Sequence, residues 1–404
     1  MSIQILSGGT ITAPKGFLAG AAQAAIKKPG RYDLTLIYSP GLCSAAGVFT
    51  RNKVQAAPVL ISKAHLAGGQ SHGVVVNSGC ANACTGAQGD QDALQMAAAA
   101  GKALGCPAEQ ILVASTGVIG AYMPMERVLK GIQDAAAHMS ADCGALAAQA
   151  IMTTDTVPKE VAVQVLVGGT PVTVAAMAKG SGMIHPDMAT MLGFITTDAA
   201  ITPALLQTTL SRAADATFNM VTVDGDTSTN DSLFALANGE AKNPLLAQES
   251  DAGYGDFAEA VVYVCRTLAK MIAKDGEGAT KFLAVRVEGA ATLDDARRAA
   301  KTIAGSSLVK AAIYGKDANW GRMICALGYS GAQFDPMKVD MFLGPIQMMA
   351  RGSGLIFDEA AAKKYFEQDE IQAVIQLHDG DCSAEAWGCD LTHEYVTINA
   401  DYRS

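Results

Sequence analysis

The stretch with the most chemical potential lies mid-chain: Lys179-Gly180-Ser181-Gly182-Met183-Ile184-His185-Pro186-Asp187-Met188-Ala189-Thr190-Met191-Leu192-Gly193-Phe194. It sits between a hairpin and the apolar run Met191 to Ile195. By residue type alone it reads as a glycine-rich loop feeding a buried strand, with Thr190 an ordinary strand residue. A threonine hydroxyl is a poor nucleophile at neutral pH and needs a base beside it. No obvious Ser-His-Asp arrangement supplies one.

Other patterns stop short of their chemistry. Gly180-Ser181-Gly182 opens like a dinucleotide fingerprint, but His185 stands where the third glycine belongs. There is no Gly-x-x-x-x-Gly-Lys-Ser/Thr loop. Asp224-Gly225-Asp226-Thr227-Ser228 opens like a calcium loop, yet Thr229 and Ala235 replace its turn glycine and closing glutamate. A turn whose Asp and Ser/Thr side chains bond the backbone fits better. Gly69-Gln70-Ser71-His72-Gly73 matches Gly-x-Ser-x-Gly, but that elbow needs a strand before it, and here the strand follows. Cys80 and Cys84 lack a second Cys or His pair to complete a zinc site. All nine cysteines read as buried, reduced thiols.

The elements that must position these residues alternate between strand and helix. Gly73 to Val76 reads as a short strand ended by the turn Asn77-Ser78-Gly79. Asp90 to Leu104 reads as a helix with Gly105 just past its end. Ile111 to Ala114 is a strand running into Ser115-Thr116-Gly117. Val161 to Val167 and Pro171 to Ala178 flank Gly168-Gly169-Thr170 as a hairpin. Thr202-Pro203 starts a helix with Leu206, Leu210 and Ala213 on its stripe. A longer helix over Phe257 to Ala273 shows Phe257, Val261, Val264, Leu268 and Met271 on one face. Phe282 to Val287 alternates as a strand, Leu293 to Ile303 is helical, and Tyr395 to Asn399 reads as a closing strand. Hairpins and crossovers in both halves predict an α/β fold, a layered sandwich of mixed sheets flanked by helices.

Bulk composition narrows the partners. Half of the 404 residues are hydrophobic and 17% are charged, enough for a large core. The net charge is −9, with no local Lys/Arg cluster to offset it. Nucleic acid is excluded on that reading. No apolar run reaches the eighteen residues of a membrane span, and Met1 to Phe17 resembles neither a signal nor a transit peptide. A cytoplasmic protein is expected.

The central stretch resembles the autoprocessing site of the ornithine acetyltransferase family, the glutamate N-acetyltransferases of the cyclic arginine pathway. The likeness recurs in order along essentially the whole chain. It is carried by Asn77-Ser78-Gly79 through Gly86, Ser115-Thr116-Gly117, Thr153-Thr154-Asp155-Thr156, Val223 to Asp231, Asn319-Trp320-Gly321-Arg322, and Asn399-Ala400-Asp401-Tyr402-Arg403-Ser404. Cys80 where Asn is expected, and Ala318 where Pro is expected, depart from the pattern at positions given no chemical role. Ser404 in place of a commoner Thr keeps the hydroxyl.

The resemblance implies scission between Ala189 and Thr190, giving chains 1–189 and 190–404, and a self-cleaving fold with an N-terminal threonine nucleophile. A strained loop, with backbone latitude from Gly180 and Gly182, would let the Thr190 hydroxyl attack the Ala189 carbonyl. The freed α-amine, with an ordinary pKa of about 7.7–8.0, then serves as the base. Thr116 and Gly117 match the oxyanion pair. Thr153, Lys179, Thr190, Glu277, Asn399 and Ser404 match the substrate contacts; Lys179 suits a carboxylate and Glu277 an ammonium. The implied reaction passes acetyl from N-acetylornithine to glutamate through acetyl-Thr190, with no metal or organic cofactor. Acetyl-CoA is a second donor in bifunctional relatives, and nothing in these residues decides that point. The implied assembly is an α2β2 heterotetramer of cleaved fragments. A self-cleaving aminopeptidase or amidase, with water as acceptor, is the competing enzyme reading. A non-catalytic scaffold of the same fold is the other, and it predicts loss of Thr190 or the oxyanion pair.

Overall fold

The computed structural model describes residues 3–185 and 191–401. Ala189, Thr190 and Ser404 therefore lie outside the described residues.

The larger sheet runs in the order Gln4–Ile5, Lys159–Val167, Thr170–Lys179, Leu192–Thr197, Ser232–Ala237, Leu34–Phe49, Gln70–Cys80 and Ile111–Val118, with Leu18–Ala22 paired to Leu34–Phe49. Its central strands are apolar throughout because both faces are covered. Successive side chains in a strand point to opposite faces. Val172, Val174, Ala176, Ile195, Leu233 and Ala235 accordingly enter one core, and Met177, Leu192, Phe194, Phe234 and Leu236 enter another. That doubly buried condition produces near-continuous hydrophobic runs in place of alternation.

The first face is covered by helices Pro203–Ala216 and Tyr254–Lys274, through Leu206, Leu210, Phe257, Val261, Val264 and Leu268. The same core extends into a second sheet, ordered Ser353–Gly354, Ile346–Ala350, Asp340–Leu343, Glu370–Gln376, Phe282–Ala290 and Cys382–Cys389. Leu293–Gly305 packs over its last two strands, and Thr292 caps that helix by accepting the Asp295 N–H. On the opposite face of the larger sheet, Ala147, Ala148 and Ile151 join Ile11 and Phe17. Helices Gly86–Leu104 and Met125–Ala137 close the end carried by Val75 and Val113. The architecture is the layered sandwich of mixed sheets that the alternation predicts.

Most elements lie where periodicity puts them, and three readings need correction. Gln70–Cys80 runs straight through Asn77-Ser78-Gly79, which is a strand end and no turn. It pairs in parallel with Ile111–Val118, so that Asn77 faces Ser115 and Gly79 faces Gly117 before a bulge at Cys80. Tyr395 to Asn399 is not a strand: His393–Asp401 is a helix. Its β-branched residues favour strand, but Thr392 Oγ1 accepts the Tyr395 N–H at its start (3.3 Å), and Asn399 bonds back to the Tyr395 carbonyl (3.0 Å). All nine cysteines are free, but only Cys43, Cys80, Cys265 and Cys389 are buried, while Cys84 and Cys325 are exposed. Among the described residues, no helix is long and apolar enough to cross a membrane.

The pairing of Gln70–Cys80 with Leu34–Phe49 depends on one small residue. A Cβ on Gly73 would lie 2.1 Å from the Ile37 carbonyl oxygen, a backbone atom of the neighbouring strand. Gly73→Ala is expected to lower stability by about 2–3 kcal/mol, read as a lower urea midpoint. An unshifted midpoint would contradict this packing.

Candidate active site

Six of the residues singled out from sequence line one pocket: Thr116, Gly117, Thr153, Lys179, Glu277 and Asn399. They come from sequence-distant elements. Thr116 and Gly117 end the Ile111–Val118 strand, Lys179 ends Thr170–Lys179, and Asn399 rides on the last helix. Gly117 has a φ of +132°, and a Cβ there would sit 2.3 Å from the Gly79 carbonyl carbon. Only glycine fits this crossing of strand ends. Met191, next in the chain after Thr190, also lines the pocket.

A buried ion network fixes the relative positions of these segments. Asp155 Oδ1 accepts the Gly180 N–H and a proton of Lys159 Nζ, each at 2.7 Å, and Oδ2 accepts the Thr153 N–H at 3.0 Å. Lys159, 1% exposed, also donates to Asp275 Oδ2 at 2.5 Å. The Asp275 carbonyl accepts from Ser181 Oγ at 2.6 Å, and the Ser181 carbonyl accepts the Glu277 N–H at 3.1 Å. Burial pushes the Asp155 carboxyl upward. The positive charges of Lys179 and Lys159, with the hydrogen bonds from Lys159 and Gly180, outweigh it and hold Asp155 below its ordinary 3.8.

The pocket is electrostatically lopsided. Lys179, 7% exposed, is the sole Lys or Arg among the described residues of its lining, with Nζ 3.5 Å from Thr116 Oγ1. Asp224, Asp226, Asp231 and Glu277 face it across the lining. Glu277 Oε2 accepts from Asn399 Nδ2 at 2.8 Å. Burial, then the charges of Asp224, Asp226 and Glu277, push the Tyr395 hydroxyl up to about 12. Tyr395 therefore stays protonated at neutral pH and can donate into the pocket. A zwitterionic amino acid with a second ammonium matches such a wall: its carboxylate has one cation to meet, and its amines have several carboxylates.

The loop that precedes residue 186 departs from expectation. Neither Gly180 nor Gly182 has positive φ; Met183 does, at +56°, a conformation disfavoured for a side chain of its size. Asp224 holds it there, accepting the Met183 and Ile184 N–H groups at 2.6 and 2.8 Å. Burial nonetheless raises the Asp224 carboxyl, against the lowering effect of N–H donors from Asp226, Ile184 and Met183. Gly182 is needed for a different reason, since a Cβ there would lie 2.3 Å from the Glu277 carboxyl group. The reading of 224–228 as a side-chain-bonded turn holds: Asp224 also accepts the Asp226 N–H, and Thr227 Oγ1 donates to the His185 carbonyl.

Sequence reasoning assigned no role to Asp155, Lys159, Asp275 or Tyr395, and placed Asp224 only in a backbone-bonding turn. Asp155 and Asp224 stood inside quoted motifs. Lys159 carried no signal, because a lysine at a strand start reads as a surface charge. Ser71, the serine of the Gly-x-Ser-x-Gly string, is buried in a strand and bonds the Gly73 and Gln110 carbonyls, which agrees with setting the elbow aside. Asn319-Trp320-Gly321-Arg322 lies at the start of helix Trp320–Gly328 and does not line the pocket. Among the described residues no three His, Cys, Asp or Glu side chains group as a metal site.

Residues 18–404 match the ArgJ family. The chain belongs to that family. A relative from Symbiobacterium thermophilum named arginine biosynthesis bifunctional protein ArgJ is 56% identical over 401 residues, covering 99% of both chains. One of the same name from Dehalococcoides mccartyi is 50% identical over 403 residues, again covering 99% of both. A solved arginine biosynthesis bifunctional protein from Bacillus halodurans is 47% identical with a TM-score of 0.51, covering 52% of this chain and 98% of its own.

The ion network makes two predictions for this ArgJ-family chain. Lys159→Met leaves Asp155 and Asp275 buried without their shared ammonium, and a loss of about 3–5 kcal/mol is expected at neutral pH, measured by denaturant unfolding. Asp155 has a depressed folded-state pKa, so its stabilisation is present above the unfolded value near 3.8 and is lost as pH falls further. Thermal melts between about pH 3 and pH 6 should therefore show a flatter acid limb for Asp155→Asn than for the parent chain. Parallel limbs would remove Asp155 as an ionised anchor.

Proposed function

We propose that the chain cuts itself between Ala189 and Thr190 and that Thr190 then carries an acetyl group from N-acetylornithine to glutamate. The observation that carries this reading is the convergence of Thr116, Gly117, Thr153, Lys179, Glu277 and Asn399 on one pocket that Met191 also lines. The family's place in arginine biosynthesis agrees with it. So does the B. halodurans chain, 98% of which is matched by 52% of this one, the relation a polypeptide divided near its middle would give.

In the first step the Thr190 Oγ attacks the Ala189 carbonyl carbon, forming an ester as the peptide C–N bond breaks, and water opens that ester. The new α-amine of Thr190 takes the hydroxyl proton in each later attack. Thr190 Oγ then attacks the acetyl carbonyl of N-acetylornithine. Thr116 and Gly117 donate to the oxygen that becomes negative, and ornithine leaves with the proton. Glutamate's neutral amine attacks acetyl-Thr190 in turn, restoring the hydroxyl and releasing N-acetylglutamate. Lys179 meets the α-carboxylate, and Glu277, fixed by Asn399, meets the ornithine side-chain ammonium. Ser404 and Thr153 complete the contacts. Two copies of each fragment, 1–189 and 190–404, assemble as an α2β2 heterotetramer in the cytoplasm.

The amidase reading shares every step up to the acyl-enzyme and differs only in its acceptor. Release of acetate from N-acetylornithine at the same rate with and without glutamate would decide for it. Thr190→Ala should give one uncut chain on a denaturing gel and no transferase activity; a Thr190→Ala chain that still splits sinks the assignment. Glu277→Gln should leave cleavage intact and raise the KM for N-acetylornithine about tenfold or more, the loss expected for one charge-assisted bond. A Glu277→Gln enzyme with parent kinetics would show that the ammonium is held elsewhere.

A further inference from the structure

The pocket gathers residues from strands that the larger sheet keeps well apart. Met191 leads into strand Leu192–Thr197, and Thr116 and Gly117 lie at the end of strand Ile111–Val118. Three strands, Ser232–Ala237, Leu34–Phe49 and Gln70–Cys80, stand between those two in the sheet order. At about 4.8 Å per neighbour, they run roughly 19 Å apart at mid-sheet. An oxyanion donor has to sit about 3 Å from the oxygen it stabilises. The strand ends must therefore be drawn together and held.

Asn230 is placed to hold them. It is buried, lines the pocket and stands two residues before Ser232–Ala237. Nδ2 donates to the Ala81 carbonyl at 2.6 Å and to the Ser115 carbonyl at 2.9 Å. Ala81 directly follows strand Gln70–Cys80, and Ser115 directly precedes Thr116. Oδ1 accepts from Thr229 Oγ1 at 2.6 Å. The orientation of the amide is unambiguous, because two carbonyls can be met only by its nitrogen. Since a peptide unit is planar, fixing the Ser115 carbonyl also fixes the plane from which Thr116 and Gly117 continue.

The same residue is tied to the strand that follows Thr190. The Asn230 carbonyl accepts from Ser232 Oγ at 3.1 Å, and the Ser232 N–H donates to the Met191 carbonyl at 3.0 Å. Residues 230–232 thus connect Ser115 to Met191 directly, bypassing Leu34–Phe49 and Gln70–Cys80. The bulge at Cys80 and the φ of +132° at Gly117 fall where this bridge attaches.

We propose that Asn230 is a positioning residue that holds Thr116 and Gly117 at working distance from Thr190 during acyl transfer. This rests on the acetyl-Thr190 reading and adds the side chain that sets the oxyanion pair in place. Asn230 acts through that pair, since both of its amide protons are already spent on the two carbonyls. A misplacement of about 1 Å at such a site costs on the order of a hundredfold in rate.

Asn230→Ala and the equal-sized Asn230→Asp, which offers no side-chain N–H, are compared with the parent at a temperature where all melt curves show folded protein. Rates are counted per fragment beginning at Thr190. The kcat should fall about thirtyfold to a hundredfold, with the KM for N-acetylornithine and for glutamate each within about twofold of the parent. Both half-reactions place charge on the same acetyl oxygen, so both slow together and neither KM moves. In a Thr116→Ala background the same substitutions should cost at least about fivefold less than in the parent, the coupling of residues that act as a unit. Parent-like kcat, a raised KM alone, or losses that multiply in the double variants overturn the proposal. So does failure of both variants to yield a folded protein with the Thr190 fragment. If the parent itself carries no acetyl on fragment 190–404 after incubation with N-acetylornithine, as read by mass, the acetyl-Thr190 reading fails instead.

Discussion

The pocket depends on one buried cation. Lys159 sits between Asp155 and Asp275, and through those carboxylates it reaches almost every segment of the site: Thr153 and Gly180 by way of Asp155, and Ser181 and Glu277 by way of the Asp275 backbone. A buried ion pair is weak evidence for stability, because desolvating the charges costs several kcal/mol. It sets position well, since each oxygen has a directional partner and a shift of any segment leaves a charge unmet. The site's geometry is therefore an electrostatic problem solved beneath its floor, out of reach of substrate.

That arrangement leaves Lys179 free for function. Lys179 is the cation whose charge most lowers the Asp155 carboxyl, yet its ammonium has its hydrogen-bonding contact at the pocket wall, 3.5 Å from Thr116. Lys159 carries the structural pairing. Had one lysine served both purposes, engaging a ligand carboxylate would have weakened the network that aligns Thr153 with Gly180. Under the role proposed for Lys179, separating the two tasks lets ligand charge enter and leave without unsettling the frame.

Much of this was legible in the residues. Doubly buried strands such as Thr170–Lys179 and Leu192–Thr197 announce themselves as unbroken apolar runs, and the hairpin at Gly168-Gly169 is pure turn chemistry. The resemblance to ornithine acetyltransferases picks out six residues that meet in one pocket, and all but Glu277 stand in its quoted motifs. What stayed hidden depends on contacts across long sequence separations. Lys159 looks like a surface lysine until two carboxylates, one of them 116 positions away, are seen around it. Tyr395 to Asn399 carries strand-forming residues, and its helix is set by the Thr392 cap and by Asn399 docking on Glu277. Lys27, Lys28 and Arg31 become a cluster only when Asp33 folds their segment onto Ser78.

The Met183 conformation is a strained point in this frame. A long side chain at φ of +56° costs on the order of 1–3 kcal/mol, and it persists only if its surroundings hold it more strongly. Two short bonds from Asp224 to consecutive backbone N–H groups do so, and the Ile184 carbonyl accepts the Val223 N–H at 2.6 Å from the same turn. The clamp grips Met183 and Ile184, a few residues before the 186–190 segment, while strand Leu192–Thr197 is locked in register two residues beyond it. Gly180 and Gly182 fit this account through packing, by giving Ile184 and Glu277 room to press close, and the backbone strain resides in Met183.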